Sequence, residues 1–580
     1  MNRSDLSNHQ SSAKSAPAER NITSQMQFEG SAKVADNQAR SRLVLAMIMM
    51  SMVFVVICGR LVYLGFQDPQ KQTSFHRADA AITASRPDLV DRNGKTLATD
   101  IHTASLYAEP NRIIDPDEAL ELLITVLPEL DQESIHHKLS SKAGFVWLKR
   151  ELTPSQQSRI FALGIPGIGF KAETRRFYPN ANTAAHIVGH VNIDNVGIAG
   201  IEKYVDDSGL ADLRKAGFGT AREMEPFKLS IDIRVQHFVR DELAKAMERY
   251  QAIAAGAVVL NIHTGEIVAM GSLPDYDPNK PADALKKDNL NRISAGLYEM
   301  GSTFKSFTTA MALDSGKVVM EDKFDATKPL RIAGFTINDF HAKRSWLNVP
   351  DIFIYSSNIG TALLADQVGI EAHQAFLSRL GLLDRMKKFE LPEVAKPQQP
   401  KKWRKINSVT ISYGHGVTTT PLQTAAAAAA LLNGGKLIPP TLLPRSKATA
   451  KEMATQVITP RTSDLMRYLF RLNVEKGSGK RSEVKGYRVG GKTGTAEKVV
   501  NGKYIADKRF NVFLAGFPID KPQYVVMVFI DEPKPEKGEK YATAGMNAAP
   551  VVAQIISRSA PLLGVEPKFM KLEGPLFVSY

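Results

Sequence analysis

Residues 298–305 of the chain read Tyr298-Glu299-Met300-Gly301-Ser302-Thr303-Phe304-Lys305. The stretch contains a serine, Ser302, and a lysine three residues later, Lys305. On a helix these two side chains lie one turn apart on the same face and can contact one another. A serine hydroxyl is a poor nucleophile until a base takes its proton, and a lysine that is desolvated and near other cations can be neutral and act as that base. The pattern therefore suggests a nucleophile beside its base.

This spacing alone is weak, because Ser-x-x-Lys also occurs at Ser11–Lys14 and at Ser482–Lys485. Two further motifs distinguish Ser302, and neither recurs in the chain: Ser356-Ser357-Asn358 and Lys492-Thr493-Gly494-Thr495. They follow Ser302 in the order of a known serine acyl-transfer site, although its middle motif is usually Ser-Asp-Asn. The three motifs together predict that Ser302 is catalytic.

Composition limits the class of protein. A chain of 580 residues is long enough for about two to four domains. Its net charge of +14 could favour an anionic membrane or an acidic polymer, but a solvated basic surface is the simpler interpretation. No nucleic-acid-binding module has its signature here, so we expect no nucleic-acid partner. The single cysteine, Cys58, excludes an internal disulfide framework and a cysteine-based zinc site.

The amino-terminal region predicts a tail followed by a membrane anchor. Residues 1–42 are polar and poor in large apolar side chains, which is typical of a flexible segment. The next 17 residues, 43–59, carry no charge, and the apolar character resumes after Arg60. A cleaved signal peptide and a buried core helix are the alternatives, but the run is longer than a usual signal-peptide core. We predict a single-pass anchor over residues 43–65, although the flanking charges set its orientation only weakly.

Residues 66–226 predict a separate, non-catalytic domain, which we call the pedestal. Residues 91–94, Asp-Arg-Asn-Gly, predict a hairpin turn, and residues 117–127 have a helical pattern. The histidines of this region show no metal-ligand spacing, so we expect no metal site. A scaffolding or interaction role is the default interpretation.

Residues 227–565 predict a second domain of class α+β, in which an antiparallel sheet is flanked by helices. The predicted elements are a helix after Asp232, a hairpin over 256–270, a helix from Ser302 to about Leu313, an alanine-rich helix from Thr420 to Leu432, strands at 511–515 and 524–530, and a closing helix that begins at Pro550. The composition of residues 392–405 predicts an exposed loop. Residues 566–580 are expected to be a carboxy-terminal tail.

The chain resembles a class B penicillin-binding protein, most closely the septal peptidoglycan D,D-transpeptidases of the FtsI type. The resemblance covers roughly residues 40–560. Besides the three motifs, it rests on pedestal landmarks: Arg86, Asp91-Arg92-Asn93-Gly94, Arg176-Phe177-Tyr178-Pro179, His186-Ile187-Val188-Gly189, Gly197 and Gly200-Ile201-Glu202. β-Lactamases resemble only the second half, and the glycosyltransferase motif of class A relatives is absent. Pro87 stands where Gly is usual and Met300 where Pro is usual, which bears on loop geometry rather than activity.

The resemblance implies a role for each motif residue. Ser302 attacks the carbonyl of the penultimate D-alanine of a peptidoglycan stem peptide, and Lys305 accepts its proton. Ser356 and Lys492 help to protonate the departing amine, after which an amine from a neighbouring stem forms the crosslink. From the residues alone, Ser356 could equally cap a helix.

The remaining roles concern binding. The resemblance implies that Asn358 holds the substrate amide and that Lys492, Thr493 and Thr495 hold the terminal carboxylate. Gly494 lies within the same substrate-binding strand, and the N–H groups of Ser302 and Thr495 form an oxyanion hole. Without the resemblance, Asn358 is a plausible turn residue and Thr493 an ordinary strand residue. No metal or organic cofactor is implied, and β-lactams are expected to acylate the same serine.

Alternatives remain open at this stage: an elongation-type transpeptidase of the same class, a β-lactam sensor that transfers nothing, and a scaffold with a vestigial site. The resemblance also implies the partners. These are lipid-linked precursor and nascent glycan, a polytopic septal glycosyltransferase and other divisome membrane proteins. The expected location is the inner membrane at the septum, with a cytoplasmic amino terminus and a periplasmic catalytic domain.

Overall fold

The computed structural model describes residues 44–60, 86–209, 225–332, 334–500 and 502–569. Residues 44–60 form a helix with exposed side chains, and this helix belongs to a different unit of the chain from the other described residues. The predicted anchor extends beyond both ends of this described helix. None of the helices in the described ranges is both long and apolar enough to cross a membrane. The amino-terminal tail, residues 1–42, lies outside the described residues, as does most of the carboxy-terminal tail.

The described part of the pedestal combines a small sheet with short helices. Its strands are β1 (Leu89–Val90), β2 (Thr96–Ala108), β3 (Val146–Leu152), β4 (Ile168–Phe177), β5 (His190–Val191) and β6 (Gly197–Ala199). Its helices are α1 (Pro116–Val126), α2 (Gln132–Leu139), α3 (Pro154–Ala162), α4 (Ala185–Val188) and α5 (Gly200–Asp207). The predicted helix near 117–127 is thus confirmed as α1. Pro116 lies in its first turn, and the Asp115 carboxylate caps its free N–H groups.

The predicted turn at residues 91–94 joins β1 to β2 and is also hydrogen-bonded to the catalytic region. The Asp91 carboxylate accepts hydrogen bonds from the backbone of Asn93 and Lys95, at 2.7 and 2.9 Å. Its other oxygen accepts from the backbone N–H of Ile233 at 3.1 Å. Asp91 is fully buried, so these bonds compensate for the loss of water around its charge. The turn therefore ties the pedestal to the first helix of the catalytic region.

A cluster of buried charges, the pedestal ion cluster, brings together four residues that are far apart in sequence: Arg86, Asp100, Arg176 and Glu202. Glu202 is fully buried and accepts from Arg86 Nε at 2.8 Å and from Arg176 Nε at 2.6 Å. Arg176 Nη1 also contacts Asp100 Oδ1 at 3.0 Å. Three of the sequence landmarks of the pedestal thus meet in one ion network, which explains why they occur together.

The second half of the chain contains the larger sheet. Its strands are β7 (Phe227–Lys228), β8 (Ala254–Asn261), β9 (Ile267–Leu273), β10 (Lys323–Asp325), β11 (Leu330–Ile332), β12 (Phe335–Ile337), β13 (Trp346–Asn348), β14 (Lys436–Leu437), β15 (Thr455–Gln456), β16 (Gly490–Val500), β17 (Lys503–Phe517) and β18 (Tyr524–Asp531). Its helices are α6 (Ile233–Tyr250), α7 (Phe304–Asp314), α8 (Val349–Ile354), α9 (Asn358–Val368), α10 (Ile370–Arg379), α11 (Lys405–Ser412), α12 (Pro421–Leu432), α13 (Lys447–Met453), α14 (Pro460–Lys476) and α15 (Ala548–Ser559).

Five strands form the catalytic sheet, in the order β16-β17-β18-β8-β9, and every pairing is antiparallel. The sheet is buried on both faces. Val258 and Leu260 of β8 pack into one apolar cluster with α7 and α12, whereas Ala257 and Val259 pack into another with α6 and α15. Burial on both faces explains why the strands read as continuous apolar runs. The predicted α+β class and the antiparallel sheet with flanking helices are confirmed.

The join between the two regions lies near the predicted boundary at residue 227. Strand β7 begins at Phe227 and pairs in parallel with β1 of the pedestal. Helix α6 then begins at Ile233, where the Asp232 side chain caps it by accepting from Arg234 N–H. Pedestal residues such as Leu89 and Leu97 also contribute to the larger apolar cluster. The two regions therefore share packing within one unit.

Two predictions about local structure need correction. The closing helix α15 begins at Ala548 rather than Pro550, because the Asn547 side chain provides the cap two residues earlier.

The segment 392–405 is not uniformly exposed. Trp403 is buried, and its ring lies edge-on to His373 at 5.5 Å. An aromatic side chain inside a basic, proline-containing segment anchors that segment to the core.

Candidate active site

Ser302 lies in a single 3₁₀ turn, Gly301–Thr303, that leads directly into helix α7. The Thr303 hydroxyl donates to the Met300 carbonyl at 2.8 Å and closes the turn. Gly301 has a φ of +50°, which a residue with a Cβ adopts only with strain. The predicted helix after Ser302 is confirmed, and this geometry places Ser302 and Lys305 one turn apart at its start.

The nucleophile turn packs tightly against the edge strand β16. A Cβ at Gly494 would lie 2.4 Å from the Met300 carbonyl oxygen, and one at Gly301 would lie 3.0 Å from the Thr495 carbonyl oxygen. The contact at 494 is shorter than a carbon atom allows and the one at 301 is tight, so glycine at both positions permits this approach of two backbones. The Lys-Thr-Gly-Thr motif is thereby held against Ser302.

Two buried lysines converge on the hydroxyl of Ser356. Lys305 Nζ donates to Ser356 Oγ at 3.1 Å and also to the Ser356 carbonyl, while Lys492 Nζ donates to the same Oγ at 3.0 Å. Lys305 is 1 % exposed and Lys492 is fully buried. The serine oxygen thus links the amines of two lysines that are 187 residues apart in the sequence. A proton could pass between the two amines through this hydroxyl.

Burial of these lysines lowers their affinity for protons. Loss of hydration lowers the pKa of Lys305 well below its usual range, the charge of Lys492 lowers it further, and the Asp339 carboxylate partly opposes both effects. Burial lowers the pKa of Lys492 to about 7. Burial therefore favours the neutral form of Lys305, the form that can act as a base, and leaves Lys492 close to half protonated at neutral pH.

Ser356 and Ser357 have separate structural roles. Ser356 has a φ of +55°, a strained backbone conformation for serine, and it joins α8 to α9. The helix cap is Ser357, whose hydroxyl accepts from Gly360 N–H at 2.9 Å and donates to Asp339 Oδ2 at 2.8 Å. Capping is thus assigned to Ser357, and the Ser356 side chain is left to the two lysines.

The predicted binding residues occupy the same region. Asn358 Nδ2 donates to the Asn338 carbonyl at 2.9 Å, which fixes the orientation of its amide. Thr495 Oγ1 accepts from Ala544 N–H at 3.2 Å, and Thr493 Oγ1 lies 2.6 Å from Ser478 Oγ. These contacts hold all three side chains in defined positions before any substrate arrives.

A cavity of about 540 Å³ opens above the nucleophile. Six of the eight predicted site residues line it: Ser302, Lys305, Ser356, Asn358, Thr493 and Thr495. Lys492 contacts the site through its hydrogen bond to Ser356 Oγ, and Gly494 packs against the Met300 carbonyl. The structure therefore brings the three motifs together at one cavity, large enough for part of a peptide.

Several residues of the site were not predicted from the sequence. Ser478 and His415 line the cavity, and Asp339 accepts from the Ser357 hydroxyl. They belong to none of the motifs, and no local pattern marks them. Burial lowers the pKa of His415 to about 4, so this histidine is neutral at physiological pH. Their positions depend on chain segments that only the fold brings to the site.

Two family models match the chain. The model described as "Penicillin binding protein transpeptidase domain" matches residues 255–557, and "Penicillin-binding Protein dimerisation domain" matches residues 81–208. The first match covers the catalytic sheet and all three motifs, and the second covers the described pedestal. The chain therefore belongs to the class B penicillin-binding proteins.

Similar curated proteins refine this assignment to the FtsI type. The "Probable peptidoglycan D,D-transpeptidase FtsI" of Caulobacter vibrioides is 40 % identical over 501 residues, which cover 84 % of this chain and 83 % of the relative. "Peptidoglycan D,D-transpeptidase FtsI" of Escherichia coli K12 is 31 % identical, over 84 % of this chain and 85 % of the relative. "Probable peptidoglycan D,D-transpeptidase PenA" of Neisseria gonorrhoeae is 32 % identical, over 91 % and 94 %. The predicted resemblance is confirmed.

Proposed function

We infer that the chain is a peptidoglycan D,D-transpeptidase of septal cell-wall synthesis, and we propose how its residues carry out the reaction. The family membership carries the activity, and the convergence of Lys305 and Lys492 on Ser356 carries the proposed mechanism. The substrate is a peptidoglycan stem peptide that ends in two D-alanines. β-Lactams act as covalent inhibitors of the same site.

In the first half-reaction Ser302 Oγ attacks the carbonyl carbon of the penultimate D-alanine. Lys305, whose neutral form is favoured by burial, takes the serine proton. The N–H groups of Ser302 and Thr495 stabilise the oxyanion, each worth about 3–4 kcal/mol of the barrier. The peptide bond then breaks, and the terminal D-alanine leaves as its nitrogen receives a proton through the Ser356 hydroxyl and Lys492.

In the second half-reaction an amine of a neighbouring stem attacks the ester carbon of the acyl-enzyme. A C–N bond forms, the bond to Ser302 Oγ breaks, and one amine proton returns to Ser302 through Lys305. Asn358 orients the donor's amide throughout, and Thr493, Thr495 and Lys492 hold the terminal carboxylate before it leaves. The product is a crosslink between two stems.

The cellular setting is also a proposal. The uncharged run of residues 43–59 supports an inner-membrane anchor over 43–65, with residues 1–42 in the cytoplasm and the catalytic domain, 227–565, in the periplasm. The pedestal, residues 66–226, would then contact a polytopic septal glycosyltransferase and other divisome membrane proteins. A tagged copy should collect at midcell, whereas an even side-wall distribution would favour an elongation role.

Covalent labelling tests the assignment of the nucleophile. The full chain is incubated with a fluorescent penicillin in three forms: wild type, Ser302→Ala and Ser482→Ala. Ser482 is a matched control, because it also begins a Ser-x-x-Lys sequence. We expect label on the wild type and on Ser482→Ala, and none on Ser302→Ala. Equal label on all three would show that another serine is acylated.

Turnover then separates a transferase from a receptor that is only acylated. The wild type is given a thioester analogue of the donor stem together with an acceptor amine. We expect release of the thiol and formation of the transferred amide. A protein that binds penicillin but never transfers would support the sensor function instead.

A further inference from the structure

Ser478 lines the catalytic cavity, although it belongs to none of the three motifs. It follows helix α14, and its hydroxyl oxygen lies 2.6 Å from Thr493 Oγ1. The Ser478 N–H donates to Asn473 Oδ1 at 3.3 Å, and its carbonyl oxygen lies so close to Gly545 that a Cβ there would be 2.7 Å away. A hydroxyl that is fixed so close to a proposed carboxylate ligand can influence that ligand.

The neighbours of the two hydroxyls limit how Ser478 and Thr493 can be hydrogen-bonded. Asn473 is fully buried, and its Nδ2 donates to the Gly491 carbonyl at 2.7 Å, so its Oδ1 faces Ser478. Ser478 Oγ–H could donate to Asn473 Oδ1 at 3.4 Å or to Thr493 Oγ1 at 2.6 Å. Only the shorter distance lies within the usual range for O–H···O bonds. Either hydroxyl can donate in this contact, and a ligand that accepts a hydrogen bond from Thr493 leaves Ser478 as the donor to Thr493 Oγ1.

A carboxylate in the cavity determines the direction of this hydrogen bond. When Thr493 directs its hydrogen to that carboxylate, its Oγ1 can accept the hydrogen of Ser478 at 2.6 Å. Thr495 is arranged in the same way, since its Oγ1 accepts from the Ala544 N–H at 3.2 Å. Both threonines of the Lys-Thr-Gly-Thr motif thus have an occupied acceptor and a hydrogen available for a substrate.

We propose that Ser478 is a positioning residue that presents the Thr493 hydroxyl as a hydrogen-bond donor to the terminal carboxylate of the donor stem, and so selects substrates that end in a free carboxylate. The inference rests on the carboxylate-binding role proposed above for Thr493. A carboxylate only accepts hydrogen bonds, so a hydroxyl whose hydrogen points towards it binds it better than one that is free to turn its oxygen.

The test compares a charged ligand with its neutral analogue. Second-order acylation constants of the full chain are measured with benzylpenicillin and with its methyl ester, for the wild type, Ser478→Ala, Ser478→Thr and Ser482→Ala. Ser482 is a buried serine of the same loop whose hydroxyl donates to the Gly479 carbonyl at 2.8 Å, so Ser482→Ala controls for loosening of that loop.

In Ser478→Ala we expect the constant for benzylpenicillin to fall about tenfold and that for the ester to change less than twofold. Ser478→Thr keeps the hydroxyl and should restore the preference for the free acid, while Ser482→Ala should keep the wild-type ratio. Equal losses for acid and ester, or no loss for either, would overturn the proposal. Thr493→Val separates the carboxylate-binding role of Thr493 from the positioning role of Ser478. If it too leaves the acid-to-ester ratio unchanged, the proposed role of Thr493 fails, and if it alone lowers the ratio, only the role of Ser478 fails.

Discussion

The catalytic site and the pedestal ion cluster both bury charged side chains, but they arrange them in opposite ways. In the pedestal, each arginine lies against a carboxylate, with Glu202 between Arg86 and Arg176. In the site, two lysines share one neutral hydroxyl, and burial lowers the pKa of both amines. Buried charges of opposite sign compensate one another, so that the loss of one partner destabilises the fold, whereas buried amines without matching carboxylates lose protons more readily and become reactive.

Replacement of Lys305 by methionine should have the largest effect on catalysis. The side chain keeps its length but loses the base, so the penicillin acylation constant should fall about 10³-fold. The free energy of unfolding should change by only about 1 kcal/mol, because an apolar side chain suits a site that is 1 % exposed. Stopped-flow acylation and chemical denaturation measure the two quantities, with Lys451→Met at an exposed position of α13 as control. A loss of stability without a loss of acylation rate would mean that Lys305 serves the fold and not the reaction.

Replacement of Glu202 by glutamine should lower the stability of the fold and leave the acylation rate unchanged. The variant keeps the shape but leaves Arg86 and Arg176 without their shared charge, so the free energy of unfolding should fall by about 3–5 kcal/mol. Acylation of the folded protein should stay at the wild-type rate.

The matched control for Glu202→Gln is Asp207→Asn on the same helix, α5. Asp207 makes an exposed pair with Lys203 at 3.5 Å, so its loss should cost less than about 1 kcal/mol. Similar losses for both variants would mean that the pedestal ion cluster contributes no more than a surface pair.

Replacement of Gly494 by alanine should lower stability less than Glu202→Gln does, but it should also slow acylation. The new Cβ would meet the Met300 carbonyl oxygen at 2.4 Å and push β16 away from the nucleophile turn. We expect a loss of about 1–3 kcal/mol in unfolding free energy, as for other overpacked sites. Acylation should slow as well, because the Thr495 N–H moves with the strand. Gly144→Ala, which has nothing within 4 Å of the new Cβ, should change neither quantity.

Much of this architecture could be predicted from local sequence. The spacing of Ser302 and Lys305 predicted a helical turn, and the Thr420–Leu432 pattern predicted helix α12, which the structure confirms from Pro421 to Leu432. Asn and Gly at positions 93 and 94 predicted a turn that the structure confirms between β1 and β2. Each of these features depends on residues within a few positions of one another, where backbone geometry and periodicity are sufficient.

The remaining features depend on contacts between distant segments. No sequence pattern pairs β18 with β8, brings Asp339 to the start of α9 or sets Ser478 beside Thr493. The cap of α9 is a clear example of a feature that the sequence alone does not determine. The sequence allowed Ser356 to be a cap, and only the backbone, with φ at +55°, assigns the cap to Ser357 and leaves Ser356 between the lysines.

The most direct test of the central claim is the pH dependence of acylation by benzylpenicillin in the wild type. Lys305 acts as a neutral base, so the constant should rise as that amine loses its proton at a pH well below the usual lysine range. Lys492 acts in its protonated form, so the constant should fall again above its pKa of about 7. We expect a descending limb near pH 7 and no further rise of the constant at higher pH. A constant that climbs steadily towards pH 10, as an ordinary lysine base would require, would contradict it.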